Sequence, residues 1–152
     1  MRYKRKKGQK TIKSKKISYD GINFASGLER YCYIALKKAK LFEKYEEERF
    51  NLIDSFTPSN EFFERQSNGK GEYRGRGGKK ILGINYTPDF TGIDYIIECK
   101  GRANESFPLR YKLFKLWLMK NQDTRTCYKP QNQKEVDQTI ELIKSARGAK
   151  RY

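Results

Sequence analysis

The stretch "YTPDFTGIDYIIECKG", residues 86 to 101, places charged side chains inside an apolar, β-rich pattern. Its two apolar halves are separated by a short turn that contains Gly92, and this arrangement predicts two adjacent antiparallel strands. Asp89, Glu98 and Lys100 stand within these strands, where a charge is costly unless it is paired or binds a metal. The segment is therefore either an ordinary edge hairpin or a site.

The spacing of the three charges allows a metal centre. Glu98 and Lys100 are two residues apart on a predicted strand, so both project from one face, and Cys99 points the other way. A hairpin brings Asp89 close to Glu98, and a divalent cation relieves the repulsion between the two carboxylates. Oxygen ligands suit Mg²⁺, and a neighbouring lysine could orient water or stabilise developing charge in phosphodiester hydrolysis. On spacing alone, a solvated face formed by chance stays an open alternative.

Patterns outside this stretch predict the remaining elements. The segment "FASGLERYCYIALKKAKLFEKYEEE" has apolar residues at helical spacing from Leu28 to Phe42, and Ser26 with Glu29 forms a capping box at the helix start. "EERFNLI" alternates like a strand. "PLRYKLFKLWLMK" predicts a helix whose apolar face consists of Leu109, Leu113, Leu116 and Trp117.

The last part of the chain adds "TRTCYKP", a short strand, and "QKEVDQTIELIKSAR", a terminal helix with one apolar stripe. The resulting order predicts the α/β class, with a central mixed β-sheet flanked by helices on both faces. Residues 1–20 are predicted to be a disordered basic arm, and residues 21–152 a single domain. A glycine-rich insertion at about 54–80 is predicted to be a long excursion or mobile loop between two strands.

Composition limits the possible chemistry. Among 152 residues, 34 Lys and Arg stand against 18 Asp and Glu, and the formal net charge is +16, so nucleic acid is the leading partner. The chain has no histidine, which excludes a Ser-His type of triad, and any hydrolysis must use carboxylates, lysine and a metal. Three cysteines without CxxC spacing argue against a zinc site and against a disulfide framework. We expect a cytoplasmic protein without a membrane span.

Four segments in order give the sequence a family resemblance. "YTPDF" followed by "IIECKG" resembles the signature of the PD-(D/E)XK nuclease superfamily, which has a restriction-endonuclease-like core. Upstream, "SGLE" and "YEEERF" look like segments of the phage endonuclease I family of Holliday-junction resolvases. The similarity covers about residues 24 to 118. It implies a nuclease domain in the cytoplasm, that of the host cell if the protein is phage-encoded.

The resemblance also implies roles for individual residues. Asp89 and Glu98 would bind Mg²⁺, for which Mn²⁺ could substitute, and the backbone carbonyl of Cys99 would be a further ligand. Lys100 would position water, and Glu29 would face the same site, although the capping box alone explains Glu29. For the helix after the hairpin, the resemblance suggests phosphate contacts at Arg110, Lys112 and Lys115, with a merely solvated helix face as the open alternative. Positive charge, independently of the resemblance, predicts DNA contacts from the arm at Arg2, Lys4, Arg5, Lys6 and Lys7 and from the insertion at Arg74 and Arg76, where a flexible solvated loop stays an open alternative.

The predicted function is Mg²⁺-dependent endonuclease cleavage of branched DNA, in the manner of a junction resolvase, by a homodimer. One site per chain makes symmetric cutting of two strands a task for two copies. Two alternatives stay open at this stage. One is a PD-(D/E)XK nuclease of another preference, such as nicking, recombination or packaging, and the other is a non-catalytic nucleic-acid-binding protein.

Overall fold

The structure, a computed structural model, describes residues 16–102 and 104–150. The described residues divide into two compact units. One lies within Met1–Phe42, Cys99–Gly101 and Pro130–Tyr152, and the other lies within Glu43–Glu98 and Arg102–Lys129. In chain order the elements are β1 (Ile17–Tyr19), β2 (Ile22–Phe24), α1 (Gly27–Lys38), β3 (Lys44–Tyr45), β4 (Phe50–Ile53), β5 (Phe63–Glu64), β6 (Arg74–Gly75), β7 (Ile84–Tyr86), β8 (Phe90–Thr91), β9 (Tyr95–Ile97), α2 (Phe107–Lys120), β10 (Thr126–Tyr128) and α3 (Gln133–Ala149).

The second unit is built on a four-stranded mixed sheet with the strand order β10-β9-β8-β3. β8 pairs antiparallel with β3 on one side and with β9 on the other, whereas β9 and β10 are parallel. Parallel strands cannot be joined by a tight turn, and α2 supplies the crossover between them. The α/β class with a mixed sheet, predicted from the sequence, is therefore confirmed.

Aromatic packing attaches α2 to the strands of this unit. Phe114 is fully buried, and its ring centroid lies 4.5 Å from that of Tyr86 and 4.9 Å from that of Phe50. Burial of large side chains of this kind stabilises a fold by about 1.5 to 3 kcal/mol for each side chain. The buried cluster consists of Phe50, Tyr86, Ile96, Phe107, Phe114 and Leu118.

The predicted apolar face of α2 is wrong for Leu109 and Leu116, whereas Trp117 packs against the buried cluster as predicted. Leu109 and Leu116 are exposed, with 65% and 42% of their surface accessible, and the buried positions are Phe107, Phe114 and Leu118. The helix has apolar residues on several sides, so its periodicity leaves more than one face possible. The aromatic side chains bury the larger area, and they determine which side of the helix packs.

The predicted insertion lies between two strands that pair with each other. β4 and β7 flank it as an antiparallel pair. Within it, β5 and β6 form an antiparallel hairpin, which the sequence did not predict. Gly69 and Gly71 have φ values of 77° and 78°, a conformation that glycine adopts without a steric penalty, and they lie in the connection between these strands.

The first unit contains the β1–β2 hairpin and helices α1 and α3. β1 overlaps the predicted disordered arm, so the arm is wrong for residues 17–20, and residues 1–15 lie outside the described ranges. The physical reason is the dipeptide Asp20-Gly21, whose φ values of 54° and 74° suit a two-residue hairpin turn between apolar positions.

α1 begins as predicted and ends earlier than its apolar spacing suggested. The Ser26 hydroxyl accepts a hydrogen bond from the Glu29 backbone N–H at 3.2 Å, which confirms the capping box. At the other end, the N–H of Leu41 donates to the Leu36 carbonyl, and the N–H of Lys40 donates to the Lys37 carbonyl. These two bonds form a Schellman closure that stops the helix at Lys38.

Two further observations concern the helices. The apolar stripe predicted for α3 is confirmed, because Val136, Ile140 and Ile143 are buried. Within the described ranges, no helix combines the length and the apolar character that crossing a membrane requires.

Candidate metal centre

The β8–β9 hairpin places two of the predicted acidic residues at the same end of the sheet. Its register pairs Phe90 with Ile97 and Thr91 with Ile96. Asp89 immediately precedes β8 and Glu98 immediately follows β9, so each is one position beyond the Phe90–Ile97 pair. Asp89 is 9% exposed and Glu98 is 7% exposed. Two carboxylates are thus buried where neighbouring strands end.

A third carboxylate, Glu46, lies on the other side of Asp89. β3 pairs with β8 through Tyr45 and Phe90, and the N–H of Glu46 donates to the Asp89 carbonyl at 2.9 Å, one position further on. The carboxylate oxygens of Glu46 and Asp89 come within 4.8 Å of each other. Glu46 is exposed, unlike Asp89. The ends of three adjacent strands therefore carry an acidic row of Glu98, Asp89 and Glu46.

Tyr86 supports this row from the core. Its hydroxyl donates a hydrogen bond of 2.7 Å to the Glu98 carboxylate, and its ring is 4% exposed. Burial, followed by the negative charge of Glu98 and the hydrogen bond to it, raises the pKa of Tyr86 far above its ordinary value of 10.0. Tyr86 therefore keeps its proton and stays a hydrogen-bond donor to Glu98 at any physiological pH.

Backbone hydrogen bonds continue past the end of β9. The N–H of Glu98 donates to the Tyr128 carbonyl at 3.0 Å, and the N–H of Lys100 donates to the Pro130 carbonyl at 3.1 Å. Donation from every second residue is the pattern of an extended strand, in which Glu98 and Lys100 alternate with Cys99. Cys99 is buried, and Lys100 is half-buried. The local chain thus has the alternation that the sequence predicted for this segment.

Glu29 lies in the first unit, where it completes the helix cap. Its carboxylate accepts hydrogen bonds from the Ala25 N–H at 3.1 Å and from the Ser26 hydroxyl at 2.8 Å. The side chain is buried, with 6% of its surface exposed. These bonds account for the conformation of Glu29 through the capping box, and its role in an active site stays a prediction.

The predicted DNA-contacting residues fall into three groups. Arg2, Lys4, Arg5, Lys6 and Lys7 lie outside the described residues. Arg74 is exposed on β6, whereas Arg76 is half-buried and donates to the Glu72 carbonyl at 3.2 Å. The last group lies on α2, is exposed to solvent, and consists of Arg110, Lys112 and Lys115.

A separate cavity of about 280 Å³ lies beside the β8–β9 turn and is lined partly by Glu48 and Arg125. The Arg125 guanidinium contacts Glu48 and Asp123 at 2.7 Å each. Its hydrogen bonds hold the pKa values of both carboxyls below their usual range, despite partial burial. Because Arg125 is already paired with two acids, we interpret this cluster as a structural ion-pair network.

The chemistry of the acidic row fits a hard divalent cation. All three side chains offer carboxylate oxygens, the donors that Mg²⁺ and Mn²⁺ prefer, and two of them approach closely enough for a shared ion. Glu46 and Tyr86 were not among the predicted site residues, although both belong to quoted segments, "YEEERF" and "YTPDF". Nothing in "YEEERF" distinguishes Glu46 from its acidic neighbours, because its position depends on the pairing of β3 with β8.

Comparison with other proteins identifies the family of this chain. No curated protein and no solved structure matches it. The sequence profile of a family described as "Protein of unknown function (DUF1064)" matches residues 9–134, which include the whole acidic row. The chain therefore belongs to the DUF1064 family.

Proposed function

We propose that this protein is a Mg²⁺-dependent endonuclease that hydrolyses phosphodiester bonds in DNA, with branched DNA as its preferred substrate. The observation that carries the proposal is the acidic row, in which buried Asp89 and Glu98 and exposed Glu46 occupy the ends of three adjacent strands. Lys100 follows Glu98 by two residues, as in the PD-(D/E)XK signature that "YTPDF" and "IIECKG" resemble.

Each residue of the row has a distinct task in this proposal. Asp89 and Glu98 hold the ion, together with the Cys99 carbonyl, and Glu46 is added to the ligand set because of its approach to Asp89. When bound, Mg²⁺ polarises a phosphoryl oxygen and lowers the pKa of a coordinated water. The Tyr86 hydroxyl keeps the Glu98 carboxylate oriented, as groups behind metal ligands commonly do.

The family resemblance implies roles for two more residues, Lys100 and Glu29. The Lys100 ammonium would orient the attacking water or stabilise the charge that develops on the phosphate. Glu29 would act in the same site while it also caps α1, since its capping bonds fix the carboxylate at the helix start. Mutagenesis of Glu29 to glutamine can separate these two roles, because glutamine keeps the cap and removes the charge.

The charge of the chain supports DNA as the substrate. The formal net charge is +16, and nine of the first 16 residues are Lys or Arg. Such cationic segments bind the phosphate backbone without sequence preference and with strong salt dependence. Arg110, Lys112 and Lys115 add exposed positive charge on α2. The proposal also includes branched DNA as the substrate and a homodimer as the active form. One site per chain needs a second copy to cut two strands symmetrically.

The test is to incubate the purified protein with a four-way junction, a linear duplex and a single strand, each in Mg²⁺, Mn²⁺ or EDTA. We expect cleavage of the junction in either metal and none in EDTA. DNA binding without cleavage in both metals would refute the enzyme and favour a non-catalytic nucleic-acid-binding protein. Equal cutting of linear duplex and junction would refute the preference for branched DNA and favour a nuclease of another specificity.

A further inference from the structure

The hairpin formed by β5 and β6 exposes aromatic rings to solvent. Phe63 on β5 is 55% exposed, and Tyr73, immediately before β6, is 69% exposed. The two rings adjoin each other, and contiguous exposed apolar surface of this kind marks a site that contacts a partner. Among the aromatic residues that the structure describes, Phe63 and Tyr73 are the most exposed. The hairpin therefore presents a surface suited to binding flat apolar groups.

The register of the hairpin gathers the rings on one face. Phe63 pairs with Gly75 and Glu64 pairs with Arg74, and the residues that adjoin the second pair are Arg65 and Tyr73. The rings of Phe63 and Tyr73 are in contact, and because side chains alternate along a chain in extended conformation, continuation of β5 by one residue places Arg65 on the face of Phe63. The ring centroids of Phe63 and Tyr73 are 6.2 Å apart at an interplanar angle of 43°, so neither ring covers the other. We name Phe63, Arg65 and Tyr73 the aromatic–basic face.

Glycine opposite Phe63 keeps this face open. A β-carbon at Gly75 would lie 3.7 Å from the Phe63 ring, in ordinary van der Waals contact, so a larger side chain there would begin to cover it. On the opposite face of the hairpin, Glu64 stands across from Arg74, and the two charges offset each other. Arg65, which adjoins β5, is exposed to solvent.

Charge favours a polyanion as the occupant of the face. Residues 61–80 contain six basic residues against three acidic ones. A second copy of this positively charged hairpin would be repelled from the face, whereas a phosphate backbone would be attracted to it. The basic residues of this segment are Arg65, Lys70, Arg74, Arg76, Lys79 and Lys80.

We propose that the aromatic–basic face binds single-stranded DNA by stacking unpaired bases on Phe63 and Tyr73, with Arg65 on the adjoining phosphates. Aromatic side chains stack on any base, so this contact is insensitive to sequence. Bases inside a duplex are already stacked on each other and do not offer their faces. This inference rests on the proposed function, which supplies DNA as the polymer. It assigns to the insertion the binding of unpaired segments beside a branch point or a strand end.

The experiment compares two double variants with the wild type in EDTA, where no cleavage occurs. Phe63→Leu with Tyr73→Leu keeps apolar volume but removes the aromatic faces, and Phe63→Trp with Tyr73→Trp keeps those faces. We expect the leucine variant to bind a fluorescent oligo-dT about 10-fold or more weakly, and the tryptophan variant to bind at least as tightly as the wild type. Binding to a blunt duplex should change little in either variant. Circular dichroism confirms that both variants are folded.

A spectroscopic measurement supplies evidence that does not depend on affinity. Trp117 is the only tryptophan of the chain, so Tyr73→Trp adds a reporter on the face, and stacked bases should quench its fluorescence beyond any change in the wild type. Absence of quenching at saturating oligo-dT would overturn the proposal. So would equal affinities of the leucine variant and the wild type, or a failure of the wild type to bind oligo-dT. Tighter binding of oligo-U than of oligo-dT would overturn DNA as the polymer.

These outcomes are separate from those of the nuclease test. A protein that never cleaves DNA can still bind oligo-dT through Phe63 and Tyr73, which would uphold the face and refute the enzyme. Conversely, cleavage by a leucine variant that binds oligo-dT like the wild type would refute the face and uphold the enzyme. A change of oligomeric state in the leucine variant, measured by light scattering, would show that the rings contact another chain and would overturn the proposal.

Discussion

Replacement of Tyr86 by phenylalanine probes the acidic row without changing its carboxylates. The substitution removes only the hydroxyl that donates to Glu98 at 2.7 Å and keeps the ring that packs 4.5 Å from Phe114. The core should therefore keep its shape, while the buried Glu98 carboxylate loses a donor. Because burial and Glu98 raise the pKa of Tyr86, its hydroxyl is a donor throughout the working pH range. The effects of its loss on stability and metal affinity should therefore appear at every pH in that range.

The expected magnitude follows from the kind of hydrogen bond. A buried bond to a charged group contributes about 1.5 to 3 kcal/mol, so Tyr86→Phe should lower the free energy of unfolding by about 2 kcal/mol. For a chain of this size, that corresponds to a decrease of about 4 to 8 °C in Tm. Since the same bond orients a proposed metal ligand, metal affinity or cleavage should fall by about 10-fold to 100-fold.

Thermal denaturation and calorimetric titration with Mn²⁺ measure the two effects. Tyr111→Phe is the matched control, because it removes a hydroxyl from another ring of the same cluster and leaves the Glu98 hydrogen bond intact. We expect Tyr111→Phe to retain metal affinity. Equal metal affinities of the wild type and Tyr86→Phe would refute the claim that Tyr86 orients Glu98 as a metal ligand, whether or not the variant is less stable.

Three further predictions address the arm, the ion-pair network and the helix cap. Deletion of residues 2–16 should weaken DNA binding and reduce the slope of log affinity against log salt by roughly 0.9 for each phosphate that the arm neutralises, and an unchanged slope would exclude contact with DNA. Arg125→Met should lower the free energy of unfolding by about 2 kcal/mol at pH 7. Arg125 depresses the pKa values of Glu48 and Asp123 from 4.5 and 3.8, so its contribution is complete above pH 4.5 and is lost as the pH falls through the depressed values. Denaturation at pH 7 and at pH 2 should therefore show a smaller difference between variant and wild type at pH 2, and a constant difference would contradict this origin. Glu29→Gln should keep the stability within about 0.5 kcal/mol, because glutamine also completes a capping box, and should reduce cleavage if Glu29 acts in the site. Cleavage by Glu29→Gln at the wild-type rate would show that Glu29 acts only as a helix cap.

The parts of the fold that were predicted correctly have local causes. Ser26 and Glu29 define the start of α1 within four residues, and the short turn with Gly92 between two apolar stretches defines the β8–β9 hairpin. Asp89 and Glu98 could be paired from the sequence because a short turn determines which positions of a hairpin face each other.

The parts that were missed depend on contacts between distant segments. β3 has two residues and no alternation, so its pairing with β8, and with it the position of Glu46, was not visible in the sequence. Two residues of the predicted apolar face of α2, Leu109 and Leu116, are exposed because helical spacing alone does not distinguish them from the buried positions, which the aromatic cluster determines. The turn dipeptide Asp20-Gly21 was a local signal for the β1–β2 hairpin that the charge of the preceding segment obscured.

The proposed metal centre is tested by the cleavage of a four-way junction by Asp89→Asn in Mg²⁺, beside the wild type and an Asp54→Asn control. Asp54 is an exposed aspartate of the same unit that lies outside the acidic row. We expect Asp89→Asn to cleave at least about 100-fold more slowly than the wild type, because it loses a metal ligand, while it binds DNA as tightly or more tightly. Asp54→Asn should cleave like the wild type. Turnover by Asp89→Asn at the wild-type rate would contradict the metal centre proposed for Asp89 and Glu98.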